Sequence, residues 1–106
     1  MSRTGRGVDH WDMTTLHIEH AVTDFAEWKS AFDRFAQMRE EAGVHRQRVY
    51  QPADNPQYVV LHLDFHEASQ AEKYLSFLQD NVWAQPGNVP TLVGQPQARI
   101  LTPAQD

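Results

Sequence analysis

The chain contains no cysteine. That removes disulfides, thiolate metal sites and cysteine nucleophiles together, and it suits a reducing compartment such as the cytoplasm. Positive charge is scarce as well. Nine Lys and Arg stand against fourteen Asp and Glu, for a net charge of −5. Five of the seven arginines lie between Arg34 and Arg99, interleaved with carboxylates rather than gathered into a stripe. Such a distribution excludes binding to a nucleic-acid backbone, which needs clustered Lys and Arg. Long hydrophobic runs are missing too: the longest aliphatic run is Val59-Val60-Leu61, far short of a membrane span. No apolar N-terminal stretch resembles a secretory signal.

At 106 residues, with 41% apolar and 22% charged residues, the chain has the size and composition of one globular domain with one core. Met1 to Asp12 hold little to bury and read as a frayed appendage. Met13, immediately before the first patterned segment, is a candidate native start. The expected layout is a flexible extension over residues 1–13, one domain over 14–102 and a polar tail over 103–106.

Hydrophobic periodicity gives the elements. Thr14 to Val22 alternates, with Leu16, Ile18, His20 and Val22 on one face of a strand and His17 and Glu19 on the other. Asp24 is an N-cap with Glu27 three residues on. Phe25, Trp28, Phe32, Phe35, Met38 and Ala42 then recur at steps of three and four. This spacing predicts one amphipathic helix of about five turns, closed by Gly43. Val44 to Gln51 and Gln57 to Phe65 read as strands around a Pro-Ala-Asp-Asn-Pro turn. Ser69 and Glu72 suggest a capping box for a second helix running to about Asp80. Asn81 to Pro96, with three prolines and two glycines, reads mostly as loop, and Gln97 to Thr102 as the last strand.

The order βαββαβ is that of the ferredoxin-like α+β fold: a four-stranded antiparallel sheet with both helices on one face. Alternation then assigns Leu16, Ile18, His20, Val49, Val59, Leu61, Leu63, Phe65, Ala98 and Ile100 to the helix side. A mixed polar set faces the other way, comprising His17, Glu19, Arg46, Arg48, Tyr50, Tyr58, Val60, His62, Asp64 and Arg99. The open face must be solvated or covered by another subunit. In a closed dimer its opposite charges would have to pair, because unpaired buried charge is costly.

Two segments resemble a known family. Val22-Thr23-Asp24-Phe25-Ala26-Glu27-Trp28-Lys29 with Phe32-Asp33 looks like the strand-to-helix junction of dimeric α+β barrel proteins, the group of antibiotic-biosynthesis monooxygenases. Val49 to Pro56 followed by Val59 to Phe65 is similar to that family's central hairpin, and Val93-Gly94-Gln95-Pro96 to the approach to its last strand. The likeness spans about residues 14 to 102. It implies a homodimer whose two sheets close into a barrel, with a small-ligand cleft between sheet and helices in each subunit. Some members oxidise aromatic polyketides with no cofactor, others degrade haem or isomerise small lactones, and the fold does not choose among them; no cofactor is expected here. No residue set matches the Asn, Trp and His arrangement of the haem-degrading members.

The candidate chemistry centres on His20, on an otherwise apolar face, where it can act as a general base on a phenolic or enolic substrate or as a hydrogen-bonding ligand contact. Trp28, Phe32 and Trp83 are the candidate pocket walls. His17, Glu19, Arg46, Arg48, Tyr50, His62, Asp64 and Arg99 form a candidate polar network on the open face. His62, Asp64 and His66 alternate along one strand beside His17, a spacing that permits metal ligation, though the network reading is preferred. No serine has a nucleophile-elbow context and no glycine-rich phosphate loop is present. The leading reading is a small-molecule-binding homodimer with cofactor-independent monooxygenase chemistry. The alternatives are a non-enzymatic dimerisation or regulatory module, and a metal-dependent enzyme.

Overall fold

The computed structural model describes residues 13–84 and 91–104. The expected N-terminal extension lies outside the described residues apart from Met13, which has no regular structure. The elements, in chain order, are strand β1 (Thr14–Val22), helices α1 (Phe25–Arg34) and α2 (Ala36–Ala42), strands β2 (Val44–Tyr50) and β3 (Tyr58–Phe65), helix α3 (Ala68–Phe77) continued by a π-helical turn (Leu78–Val82), and strand β4 (Leu92–Leu101). The sheet order is β2-β3-β1-β4 with every pairing antiparallel. This is the expected ferredoxin-like architecture.

Strict alternation of buried and half-buried residues along β1 sets both faces of the sheet. Leu16, Ile18 and Val22 join Val59, Leu61, Leu63 and Phe65 of β3 under Trp28, Phe32, Ala71, Tyr74 and Leu78 of the helical layer. β1 and β3 lie at the centre of the sheet, so their inward residues are the most buried.

Three expectations need correction. The first helix is two helices. Phe35 breaks it with φ −103° and ψ +20°, because the Phe32 carbonyl accepts from Arg39 Nη1 at 2.7 Å and from the Phe35 N–H at 3.2 Å. The break shifts the helical phase, leaving Phe35 and Met38 51% and 41% exposed, whereas unbroken periodicity would put both inside. The second helix is capped by Glu67 with Gln70 rather than by Ser69 with Glu72, and past Phe77 it widens into the π-helical turn. The last strand begins at Leu92, not Gln97. Pro96 is tolerated because β4 is an edge strand, where a missing N–H faces no partner strand, and Gly94 takes φ +73°. Pairing jumps from Glu19↔Gln97 to Ala21↔Val93, so Gly94, Gln95 and Pro96 bulge opposite His20.

Gly43 ends α2 at φ +105°, and a Cβ built there would sit 2.7 Å from Gln70 Nε2. Left-handed backbone and this contact both disfavour a side chain. Gly43→Ala is therefore expected to cost about 1–2 kcal/mol in urea denaturation, with no change in the far-ultraviolet spectrum. An unchanged midpoint would contradict this account of the α2–β2 junction.

Candidate functional site

A half-open cavity of about 660 Å³ lies between the inner face of the sheet and the helices. That volume falls in the range of small-molecule sites, roughly 300–1,000 Å³. The space between sheet and helices is thus open rather than packed. Its walls are mainly apolar, and Phe35 and Met38, exposed by the break between α1 and α2, are part of the lining.

One wall is a continuous line of stacked groups. The His20 ring meets Trp28 edge-on at 5.9 Å between centroids, Trp28 stacks on Phe32 at 4.9 Å, and the Arg39 guanidinium carbon lies 3.4 Å from the Phe32 ring centre. Helical spacing explains the order. Trp28 and Phe32 stand four residues apart on one face of α1, Arg39 joins them from α2 beyond the break, and His20 comes from the inward face of β1. Trp83 and Thr91 line the same cavity from the other end of the chain, with Leu78, Asn81 and Val82 of the π-helical turn. Such turns re-aim side chains and recur at functional sites. Of the sequence candidates for this site, His20, Trp28, Phe32 and Trp83 all border one cavity.

His20 is 5% exposed. Burial pushes its pKa below the ordinary histidine value, partly opposed by its hydrogen bond to a backbone carbonyl. That bond, Nδ1 to the Ala21 carbonyl at 3.1 Å, puts the hydrogen on Nδ1, since a carbonyl can only accept. In the neutral ring Nε2 then carries a lone pair. The bulge in β4 faces this residue, and bulges re-aim side chains beside sites.

Arg39 and Thr91 are the site residues that sequence reasoning missed. Arg39 donates from Nε to Gln47 Oε1 at 2.9 Å and from Nη1 to the Phe32 carbonyl, while Nη2, itself buried, has no hydrogen-bond partner among the described residues. The buried Thr91 hydroxyl likewise lacks one among the described residues. The signal for Arg39 was its place on the Trp28–Phe32 stripe, hidden because a charge interrupts an apolar pattern. Thr91 gave no signal, as it follows a proline-rich stretch.

The outer face carries a second constellation. Register rows run Leu101–Thr15–Asp64–Arg46, then Arg99–His17–His62–Arg48, then Gln97–Glu19–Val60–Tyr50. Tyr58 donates to Glu19 Oε1 at 2.7 Å, and His17 Nε2 bonds Glu19 Oε2 at 2.9 Å. An ionised Glu19 can only accept, so His17 Nε2 carries the hydrogen. In the one-proton form of His17, Nδ1 accepts from His62 Nε2 at 2.9 Å. The His17 and Tyr58 hydrogen bonds lower the Glu19 pKa, aided by the nearby Arg99 charge, while the bond to Glu19 raises that of Tyr58. Burial, then the charges of His17 and Arg48, lower that of His62. Asp64 Oδ1 accepts from Arg48 and from Thr15, each at 2.7 Å. Tyr50 meets the His62 ring edge-on, and Arg46 is exposed beside the row.

His66 does not join this row. It lies just past the end of β3, with its ring 4.5 Å from that of His45, because period two no longer applies past Phe65. Among the described residues no group of three or more His, Asp or Glu side chains is placed to hold a metal. Nor, among them, is any helix long and apolar enough to cross a membrane.

No family model matches the chain, and no curated protein does. Solved structures do. A candidate antibiotic biosynthesis monooxygenase of Bordetella bronchiseptica is 15% identical, with a TM-score of 0.70 over 89% of this chain and 99% of that one. SnoaB of Streptomyces nogalater, described as a cofactor-independent oxygenase, is 20% identical, with a TM-score of 0.64 over 90% and 96%. A dimeric ferredoxin-like protein from an uncultured marine organism is 13% identical, with a TM-score of 0.56 over 84% and 94%. At these identities the likeness is one of fold: the chain has the ferredoxin-like α+β architecture of the antibiotic biosynthesis monooxygenase-like proteins.

Proposed function

We propose that this protein is a homodimeric small-molecule-binding protein of the cytoplasm that oxidises a phenolic or enolic substrate without a cofactor. The observation that carries the reading is a buried histidine, held in one tautomer, on the wall of a half-open aromatic cavity. The oxygenase among proteins of the same fold adds to it.

His20 Nε2 takes the phenolic or enolic proton, while the Ala21 carbonyl keeps Nδ1–H in place and stabilises the imidazolium that forms. The aromatic wall of Trp28 and Phe32 lies alongside a planar ring system and keeps water from the reacting carbon. The resulting anion carries its charge onto carbon. That carbon reduces dioxygen in single-electron steps, and recombination forms a C–O bond. The proton held on His20 completes a hydroperoxide. Loss of water leaves a carbonyl, so a CH₂ group and O₂ become C=O and H₂O with the substrate as the only reductant.

The outer face supports the dimer. Tyr50 and Leu101 are exposed there, and so is Arg46. A second copy packed on this face covers the apolar area and offers acceptors to the arginines.

His20→Ala is expected to lower dioxygen consumption with an anthrone-type substrate by about 10²–10⁴-fold, while native mass spectrometry still reports a dimer. Retained turnover contradicts the role of His20, and a wild-type monomer contradicts the paired sheet.

The pH dependence has a definite sign. The base must be neutral, and burial lowers its pKa, so kcat/KM should be flat above pH 6.5 and fall only as acid passes the depressed value. Stability moves in the same direction. The unfolded chain binds the His20 proton more readily than the fold does, so the contribution is fully present above the ordinary value and erodes as pH falls through the folded one. His62 shares that direction. His20→Gln should therefore reduce, without abolishing, the loss of melting temperature between pH 7 and pH 5. An unchanged slope contradicts the buried neutral histidine.

A further inference from the structure

We infer that the outer face of the sheet is an acid-labile dimer surface: two copies of this chain join there while the His17–His62 pair is neutral, and protonation of both rings separates them. The inference rests on the reading of that face as the subunit contact and adds what regulates it.

The register of the sheet builds a line of basic groups. Arg99 of β4, His17 of β1, His62 of β3 and Arg48 of β2 stand directly opposite one another across all four strands, and directly opposed residues share a face. With neutral imidazoles two of the four carry charge. When each ring takes a proton, all four do, and like charges directly opposed are destabilising. The two rings are also bonded to each other, with His17 Nδ1 2.9 Å from His62 Nε2. A single hydrogen fits between nitrogens at that distance. In two imidazolium rings both nitrogens carry one, so the bond is lost and repulsion takes its place. His45 and His66, paired with each other past the end of β3, stand outside this row.

The carboxylates of this face accommodate one added proton better than two. Glu19 Oε2 already holds His17 Nε2 at 2.9 Å, so an imidazolium at His17 keeps an ion partner, while Tyr58 takes up Glu19 Oε1. Asp64 Oδ1 accepts from Arg48 and from Thr15, and Tyr50 meets His62 only ring to ring. His62 takes a proton against its burial and against the charges of His17 and Arg48, with Asp64 in its favour. Arg46, Arg48 and Arg99 against Glu19 and Asp64 leave one positive charge on these rows when the imidazoles are neutral. Protonation of both rings adds two more. In a separate subunit water screens that charge, because His17, Glu19 and Arg48 are all partly exposed. A two-fold contact sets the same patch against itself, excludes that water and doubles the charge, where like charges repel most strongly.

The test measures the dimer dissociation constant by sedimentation velocity at pH 7.5 and pH 5.5 in low salt, with the far-ultraviolet spectrum recorded at each pH. Wild type is expected to associate at least about tenfold more weakly at pH 5.5, as a folded monomer, and to recover at pH 7.5. The amide of His62→Gln still donates to His17 Nδ1 but does not titrate, so this variant should shrink the change to about threefold or less. A wild-type dimer with the same constant at both pH values overturns the inference and leaves the dimer reading standing. A wild-type monomer at pH 7.5 overturns both. Dissociation accompanied by loss of the spectrum places the acid sensitivity in the fold rather than the contact, and a full pH effect in His62→Gln places it in another group; either result overturns the inference. The wild-type comparison needs no variant, so poor folding of His62→Gln leaves the inference falsifiable.

Discussion

The whole arrangement depends on the two-residue alternation of β1, the central strand paired on both sides. One register places Leu16, Ile18, His20 and Val22 under the helices and Thr15, His17 and Glu19 on the opposite face. A slip of one residue would bury His17 and Glu19 and expose the core. Burial of the aliphatic residues therefore fixes, as a by-product, the position of one histidine among them. That histidine sits in apolar surroundings because its neighbours on the strand drive the fold. Its lowered pKa is a consequence of that placement.

The helical layer solves a different problem. A continuous first helix would have packed Phe35 and Met38 downward and closed the space over the sheet. Arg39 prevents this by reaching back to the Phe32 carbonyl, which breaks the helix and shifts the phase of α2 against α1. The same side chain thus shapes the cavity and leaves its charge on the wall. At the other end, the π-helical turn brings Leu78, Asn81 and Val82 to the cavity, with Trp83 directly after it. Both irregularities border the space that ordinary packing would have filled, as expected where function competes with regular structure.

Much of this was legible in the sequence. Alternation separated the two faces of the sheet and isolated His20, and helical spacing found Trp28 and Phe32. The departures have physical reasons. Step-of-three-and-four spacing cannot reveal a break made by a side-chain-to-carbonyl bond, so α1 and α2 read as one helix. Glycine and proline in Val93-Gly94-Gln95-Pro96 read as loop, because a sequence does not say that a strand is at an edge, where a bulge with proline is tolerated. Arg39 escaped for a related reason: a charged residue on an apolar stripe looks like the stripe's end. The outer network was visible as residue types, but the chain from Tyr58 through Glu19 and His17 to His62 required the register of β1 against β3.

The central claim is that the inner face of the sheet receives a small aromatic molecule at His20. A crystal structure of the protein soaked with 2-naphthol tests this most directly. The account predicts density between sheet and helices, stacked along Trp28 and Phe32, with the hydroxyl within hydrogen-bond distance of His20 Nε2. A cavity filled by the protein's own side chains, or naphthol bound only on the outer face, would contradict it.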